Sequence, residues 1–249
     1  MASERGATRL TVVIPAYREV HHIGATVDRI RTELGSLDGG LEILIVDDGS
    51  GDGTADAAAA AGADRVIALP SNRGKGAALR AGMLAAHGRT VAFTDADLSY
   101  APGQIVGMVE LVESGWDVVA GNRLDPASTT VVEAGALRRI GGRAIHLATR
   151  LVVIGEHPDT QCGLKAFDRD AARRLFGHSR IDGFAFDVEI IHLVERYGLS
   201  MIEVPVEVRN SDRSTVHVAR DALRLLVDLL RIRWNGRRGR YDLVVAEAE

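Results

Sequence analysis

The chain predicts an α/β protein built on a mostly parallel central sheet with helices on both faces. Three observations carry that expectation. Short apolar runs of strand length recur along the first half of the chain, segments with helical spacing separate them, and most of the runs end in clusters of Gly, Asp, Asn or Pro. Strands that alternate with helices of about ten or more residues form parallel sheets covered on both sides. Such sheets bind ligands beyond the carboxyl ends of their strands.

Taken in order, Leu10-Thr11-Val12-Val13-Ile14 is the first strand, closed by Pro15, which a central strand tolerates only at its margin. Residues 20–35 follow with Ile23, Val27, Ile30 and Leu34 on one helical face. Leu41 to Val46 reads as the second strand, Arg65 to Leu69 as the third, Val91 to Phe93 as the fourth and Trp116 to Ala120 as the fifth. Helical segments near 53–62, 74–87 and 102–113 lie between them, the first containing an alanine run that is simply good helix former. The organisation expected is one large domain over residues 1–210 and a basic amphipathic helix with its tail over 211–249.

With 249 residues, 46% of them hydrophobic and 26% charged, the chain has the composition of an ordinary globular protein with a sizeable core. Its net charge of −4 argues against nucleic acid as a partner. The single cysteine, Cys162, excludes an internal disulfide and fits a reducing compartment. No apolar run approaches the roughly 20 residues that span a bilayer, and Met1 to Arg9 lacks the apolar core of a signal peptide. The expected location is cytoplasmic.

The polar clusters fall where a parallel sheet would place its ligand. Pro15-Ala16-Tyr17-Arg18-Glu19 follows the first strand, Asp47-Asp48-Gly49-Ser50-Gly51-Asp52-Gly53-Thr54 the second, Asp95 and Asp97 the fourth, and Gly121-Asn122-Arg123 the fifth. Asp95 and Asp97, one residue apart at a strand end, suit a hard cation with oxygen ligands. Magnesium takes one or two protein carboxylates and leaves its other positions to water and substrate phosphate. Asn72-Arg73-Gly74-Lys75-Gly76 lacks the spacing of a phosphate loop, although a helix start there favours an anion. His21-His22 has no metal-ligand spacing, so zinc is not expected.

In that order, the stretches Val12 to Glu19, Val46 to Ser50, Asp95-Ala96-Asp97-Leu98 and Gly121-Asn122-Arg123 resemble the motifs of family 2 inverting glycosyltransferases with the GT-A (nucleotide-diphospho-sugar transferase) fold. More narrowly, the chain is similar to the polyprenyl (dolichyl) phosphate glucosyltransferase and mannose synthase branch over residues 10–240. Asp159-Thr160-Gln161-Cys162-Gly163-Leu164-Lys165 and Phe186-Asp187-Val188-Glu189 lean toward its glucosyl side.

The resemblance implies roles position by position. Pro15, Tyr17 and Glu19 would frame the base and ribose of a UDP- or GDP-sugar, with Asp47 facing the base and Asp48, Lys75 and Arg213 also on the donor. Asp95 and Asp97 would hold Mg2+ or Mn2+ against the diphosphate, and Arg123 would lie near the phosphates. Gln161, Asp187 and Glu189 would build the sugar and acceptor pocket. Arg138, Arg139 and Arg143 would receive the phosphate of a polyprenyl phosphate acceptor, though this stretch matches the family only loosely. Ser99 departs from mannosyl relatives, which often carry glutamine there, and so favours glucose over mannose. Two alternatives stay open: the same donor chemistry with a soluble acceptor, and a nucleotide-sugar-binding protein without turnover.

Between Arg209 and Arg240 there are nine arginines against three acids. Val218, Leu223, Leu226, Leu230 and Trp234 fall near one helical face in this stretch, a pattern suited to a membrane interface. The family resemblance gives it a juxtamembrane position, peripheral on the inner face of the membrane. Packing on the domain or in a homo-oligomer stays open beside that reading.

Overall fold

In the computed structural model the structure describes residues 8–130, 159–209 and 218–243, with side chains of the last segment described from residue 224. Seven strands form one sheet in the order β3-β2-β1-β4-β7-β5-β8, built from β1 (Leu10–Ala16), β2 (Leu41–Asp47), β3 (Arg65–Ala68), β4 (Thr90–Phe93), β5 (Val118–Asn122), β7 (Lys165–Asp168) and β8 (Met201–Pro205). Among the described strands of this sheet only β7 runs against its neighbours, β4 and β5. A two-stranded parallel pair, β6 (Thr129–Thr130) with β9 (Glu207–Val208), stands apart.

The helices are α1 (Ile23–Leu34), α2 (Thr54–Ala60), α3 (Lys75–Ala85), α4 (Gln104–Glu113), α5 (Arg169–His178), α6 (Phe186–Arg196) and α7 (Val218–Arg237). Successive strand residues point to opposite faces, so β1 feeds two cores. Val13 joins Leu44, Phe93 and Phe167 beneath α3, α5 and α6. Val12 and Ile14 join Ile43, Ile45 and Ala92 beneath α1 and α4. Both faces are therefore covered, which is why the strands read as continuous apolar runs.

Two strand boundaries near the sheet's carboxyl edge differ from the sequence expectation. Pro15 lies inside β1, in register with Val46. It is tolerated because the β4 side of β1 is unpaired at that point: β4 ends opposite Val13, so the missing N–H is not needed. The fifth strand is shifted to Val118–Asn122, carrying Asn122 into the sheet, where its side-chain amide donates to Glu203 at 2.7 Å. The strands β7 and β8 and the helices α5 and α6 lie beyond the elements read from sequence. Helix α5 starts directly on β7, with the Asp168 carboxylate accepting Asp170 N–H and Ala171 N–H as a true N-cap.

Helix α7 turns Leu225, Leu229 and Ile232 inward against the domain, while Leu226, Leu230 and Trp234 face out. The apolar face expected from sequence is thus, in its described part, the solvent-facing one, and a second stripe does the packing. Among the described residues no helix is long and apolar enough to cross a membrane.

Candidate active site

Six of the seven strands run in one direction, so the carboxyl ends of β1, β2, β4 and β5 share an edge. On that edge the chain leaving β4 turns tightly. Leu98 adopts a positive φ of 48° while buried, an uncommon conformation for a non-glycine residue. Leu98 N–H donates to Asp95 O at 3.1 Å, and Ser99 N–H to Asp97 Oδ1 at 3.0 Å. The turn leaves Asp95 half-buried and Asp97 exposed.

Two cations and a third acid complete the cluster. Lys75, the first residue of α3, pairs with Asp95 Oδ1. Burial works against its charge, but Asp95, Asp187 and Asp97 outweigh it and raise its pKa. Lys165 on β7 is 1% exposed and donates to Asp187 Oδ1 at 2.7 Å, Cys162 O at 2.7 Å and Thr160 O at 3.2 Å. Asp187 itself is buried, and burial pushes its pKa up even though Lys165 and Lys75 oppose the shift.

The segment entering β7 closes the floor. Gly163 lies so close to Asp95 that a Cβ would collide with Asp95 Oδ2, so only glycine leaves the carboxylate its position. Asp159 takes Arg123 in a forked pair, accepting Nε–H and an Nη2–H at 2.7 Å each, and also accepts the Arg123 N–H at 2.8 Å. Burial would raise the Asp159 pKa, but the guanidinium holds it low. Arg123 is thereby fixed at the edge of the cluster.

The first two loops are laced together. Arg18 N–H donates to Ser50 Oγ at 2.8 Å, and Ser50 in turn donates to Asp47 through both its hydroxyl and its N–H. Glu19 N–H donates to Thr54 Oγ1 at 3.0 Å. Pro15, Tyr17, Glu19 and Asp47 are therefore brought to one place, with Tyr17 exposed and the Arg18 guanidinium 5.2 Å above its ring.

Two of the expected residues are held elsewhere. Asp48 uses both oxygens on the loop before α3, accepting Asn72 Nδ2–H at 3.0 Å, Arg73 N–H at 2.9 Å and Gly74 N–H at 2.7 Å. It braces the loop that presents Lys75. Glu189 is fully buried, accepting Arg180 N–H, Ile181 N–H and the Tyr241 hydroxyl, the last at 2.5 Å. Residues two apart on a helix diverge by about 200°, so Asp187 faces the cluster and Glu189 faces the α5–α6 loop and Tyr241, beyond the end of α7. Gln161 is half-buried in the segment above Lys165. Arg138, Arg139, Arg143 and Arg213 lie outside the described residues.

Lys165, Asp159 and Gly163 are the site residues that sequence reasoning left without a role. All three stand in the stretch Asp159–Lys165, and a lysine between Leu164 and Ala166-Phe167 in an apolar strand is itself the signal of a buried partner.

The arrangement suits a divalent cation bound to a polyphosphate. Among the described residues no group of three metal-ligating side chains exists, but Mg2+ or Mn2+ carrying diphosphate needs only one or two carboxylates. Asp95 and Asp97 supply two, and the glycine at 163 lets the Asp95 carboxylate keep its position.

Residues 11–176 match the model of glycosyl transferase family 2. A dolichyl-phosphate beta-glucosyltransferase of Drosophila melanogaster is 34% identical over 222 residues, 82% of this chain and 68% of that protein. Its counterpart in Dictyostelium discoideum is 30% identical over 90% of this chain and 74% of its own length. In fold, the chain is similar to glucosyl-3-phosphoglycerate synthase from Mycobacterium tuberculosis, with a TM-score of 0.70 at 24% identity over 90% of this chain and 80% of that one. That enzyme has also been crystallised with Mn2+, UDP and glucosyl-3-phosphoglycerate. The chain belongs to glycosyl transferase family 2, in its dolichyl-phosphate glucosyltransferase branch, with a GT-A fold.

Proposed function

We propose that this glycosyltransferase moves a hexose, glucose in preference to mannose, from a nucleoside diphosphate sugar to a polyprenyl phosphate. The observation that carries the reading is the meeting of Asp95, Asp97 and Lys75 at the carboxyl edge of the sheet, beside Asp187 and the Arg123–Asp159 pair. The names of its similar relatives support glucose and a dolichyl-type acceptor.

In this reading Asp95 and Asp97 would hold Mg2+ or Mn2+, which supplies Lewis-acid stabilisation of the departing diphosphate. Lys75 adds a fixed ammonium at the same edge, and Arg123 a guanidinium oriented in advance by Asp159. Preorganised charge of this kind is usually the largest catalytic contribution. Pro15, Tyr17, Glu19 and Asp47 receive the base and ribose. An acceptor phosphate oxygen attacks the anomeric carbon from the opposite side, the bond from that carbon to the diphosphate oxygen breaks, and the nucleoside diphosphate leaves with the electron pair. A phosphate monoester, with its second pKa near about 6, is largely dianionic at neutral pH and needs no general base. Asp187, braced by Lys165, then serves to position substrate. Arg138, Arg139 and Arg143 are proposed to receive the acceptor phosphate.

Residues 1–210 are proposed as the catalytic domain and 211–249 as the element that meets the membrane surface. The outward stripe Leu226, Leu230 and Trp234, the last 53% exposed, supports this, as do the arginines that flank it. A transfer assay tests the proposal, with labelled UDP-glucose and GDP-mannose in parallel, Mg2+, and polyprenyl phosphate in detergent. Glucose label passing into the organic phase is the expected result. Donor turnover without lipid labelling would instead point to a soluble acceptor, and no turnover with any acceptor to a binding protein.

A further inference from the structure

We propose that Phe184, on the loop between α5 and α6, seats the isoprenoid chain of the lipid phosphate acceptor beyond its first unit. The inference rests on the acceptor reading above and adds a residue and a path to it. Phe184 is 54% exposed, while its neighbours Ala185 and Phe186 are buried. An aromatic side chain left in water on a rigid loop forgoes the stabilisation that burial would bring.

The loop is rigid by its contacts. Arg180 and Ile181 N–H groups are fixed on Glu189. Asp182 pairs with Arg73 and Arg80 at 2.9 Å each, and its carbonyl accepts Ala77 N–H at 3.2 Å. A Cβ on Gly74 would lie 2.5 Å from that carbonyl and 3.4 Å from Gly183 Cα. One side of the loop is thus pressed on the start of α3, where Lys75 meets Asp95, and the Lys75 ammonium lies 5.8 Å from the Phe186 ring.

The other side meets α7. A Cβ on Gly183 would lie 3.2 Å from Asp228 Oδ2. The loop that carries Phe184 therefore lies between the reactive cluster and α7, on which Val227, adjacent to Asp228, is exposed and Leu230, farther round the helix, is 68% exposed. A ligand with a phosphate at one end and an apolar chain at the other matches that order: anion site, aromatic step, apolar stripe. Charge argues for lipid over a second copy of the chain. At about 100° per residue, Arg233 lies along one side of the stripe and Arg224 and Arg231 along the other, and the Arg238 guanidinium lies 4.3 Å from the Trp234 ring. Arginine rows facing their own copies repel, whereas phosphate head groups neutralise them.

The test compares wild type, Phe184→Ser and Phe184→Leu with two acceptors, a long-chain polyprenyl phosphate in detergent and a water-soluble monophosphate carrying a single isoprene unit. For Phe184→Ser the expected result is a rise of about ten- to hundredfold in KM for the long-chain acceptor, the range that losing one buried aromatic contact implies. Phe184→Leu should restore most of it. The donor KM and the kcat/KM for the one-isoprene acceptor should stay within about twofold of wild type. An unchanged long-chain KM in a Phe184→Ser enzyme, beside an active wild type, would overturn the seat alone. A wild type that labels no lipid phosphate would overturn the acceptor reading and the seat with it.

Discussion

Replacing Asp97 by alanine is expected to reduce hexose transfer by about 10²- to 10³-fold at saturating Mg2+, the range found when one preorganised electrostatic contact to a developing charge is removed. The side chain is exposed at a strand end, and one oxygen accepts Ser99 N–H in the turn. Losing that exposed turn bond costs stability of about 1 kcal/mol, so the folded protein should survive. Asp95 differs, since its Oδ1 is shared with Lys75 and its Oδ2 abuts Gly163. Asp97 is therefore the cleaner probe of the cation role. Transfer kinetics beside a circular dichroism melt check the result. A folded Asp97→Ala enzyme with wild-type kcat would remove the carboxylate pair from the mechanism.

The largest expected effect on stability belongs to Lys165→Met. The ammonium is buried between Asp187 Oδ1 and the carbonyls of Thr160 and Cys162, and lies 5.6 Å from the Phe93 ring. Methionine of similar length fills the space but leaves a buried carboxylate and two carbonyls without their donor. Removing one partner of a buried ion pair typically costs about 3–5 kcal/mol, which for a chain of this size lowers Tm by roughly 6–20 °C. Burial already pushes the Asp187 pKa upward, so without Lys165 the carboxyl should protonate to shed its charge. Adding Asp187→Asn to Lys165→Met should then recover part of the loss, because the uncompensated charge is gone. Urea unfolding of the two single variants and the double variant measures the coupling. Equal and additive losses would show that the pair does not act as a unit.

The first half of the fold was legible because its strands are continuous apolar runs separated by periodic helices, each ending in polar punctuation. The second half was not. Strand β7 is four residues long, opens on a charged residue and reverses direction, so neither length nor apolar alternation marks it. Its lysine is apolar in environment and charged in identity, and only a partner distant in sequence, Asp187, resolves the conflict.

The site follows the same division. The position of Asp95 and Asp97 just past the end of β4 was legible from the apolar run Val91 to Phe93 that precedes them. Asp187 and Glu189 looked equivalent as a pair one residue apart, yet on a helix that spacing sends them to opposite faces. Asp48 was expected on the donor, and its hydrogen bonds to Asn72, Arg73 and Gly74, residues distant in sequence, could not be read from spacing. In α7 the apolar stripe was visible, whereas its direction depended on the competing stripe of Leu225, Leu229 and Ile232, which packs inward.

The central claim is that the edge formed by Asp95, Asp97 and Lys75 binds a nucleoside diphosphate through a divalent cation. Calorimetric titration of UDP into the protein, with Mn2+ and with EDTA, tests it most directly. Tight binding in Mn2+ that falls by about 100-fold or more in EDTA, and that is equally weak in Asp97→Ala with Mn2+ present, is the predicted result, since the cation neutralises diphosphate charge that Lys75 alone cannot. UDP affinity that is the same with and without the cation would contradict the account.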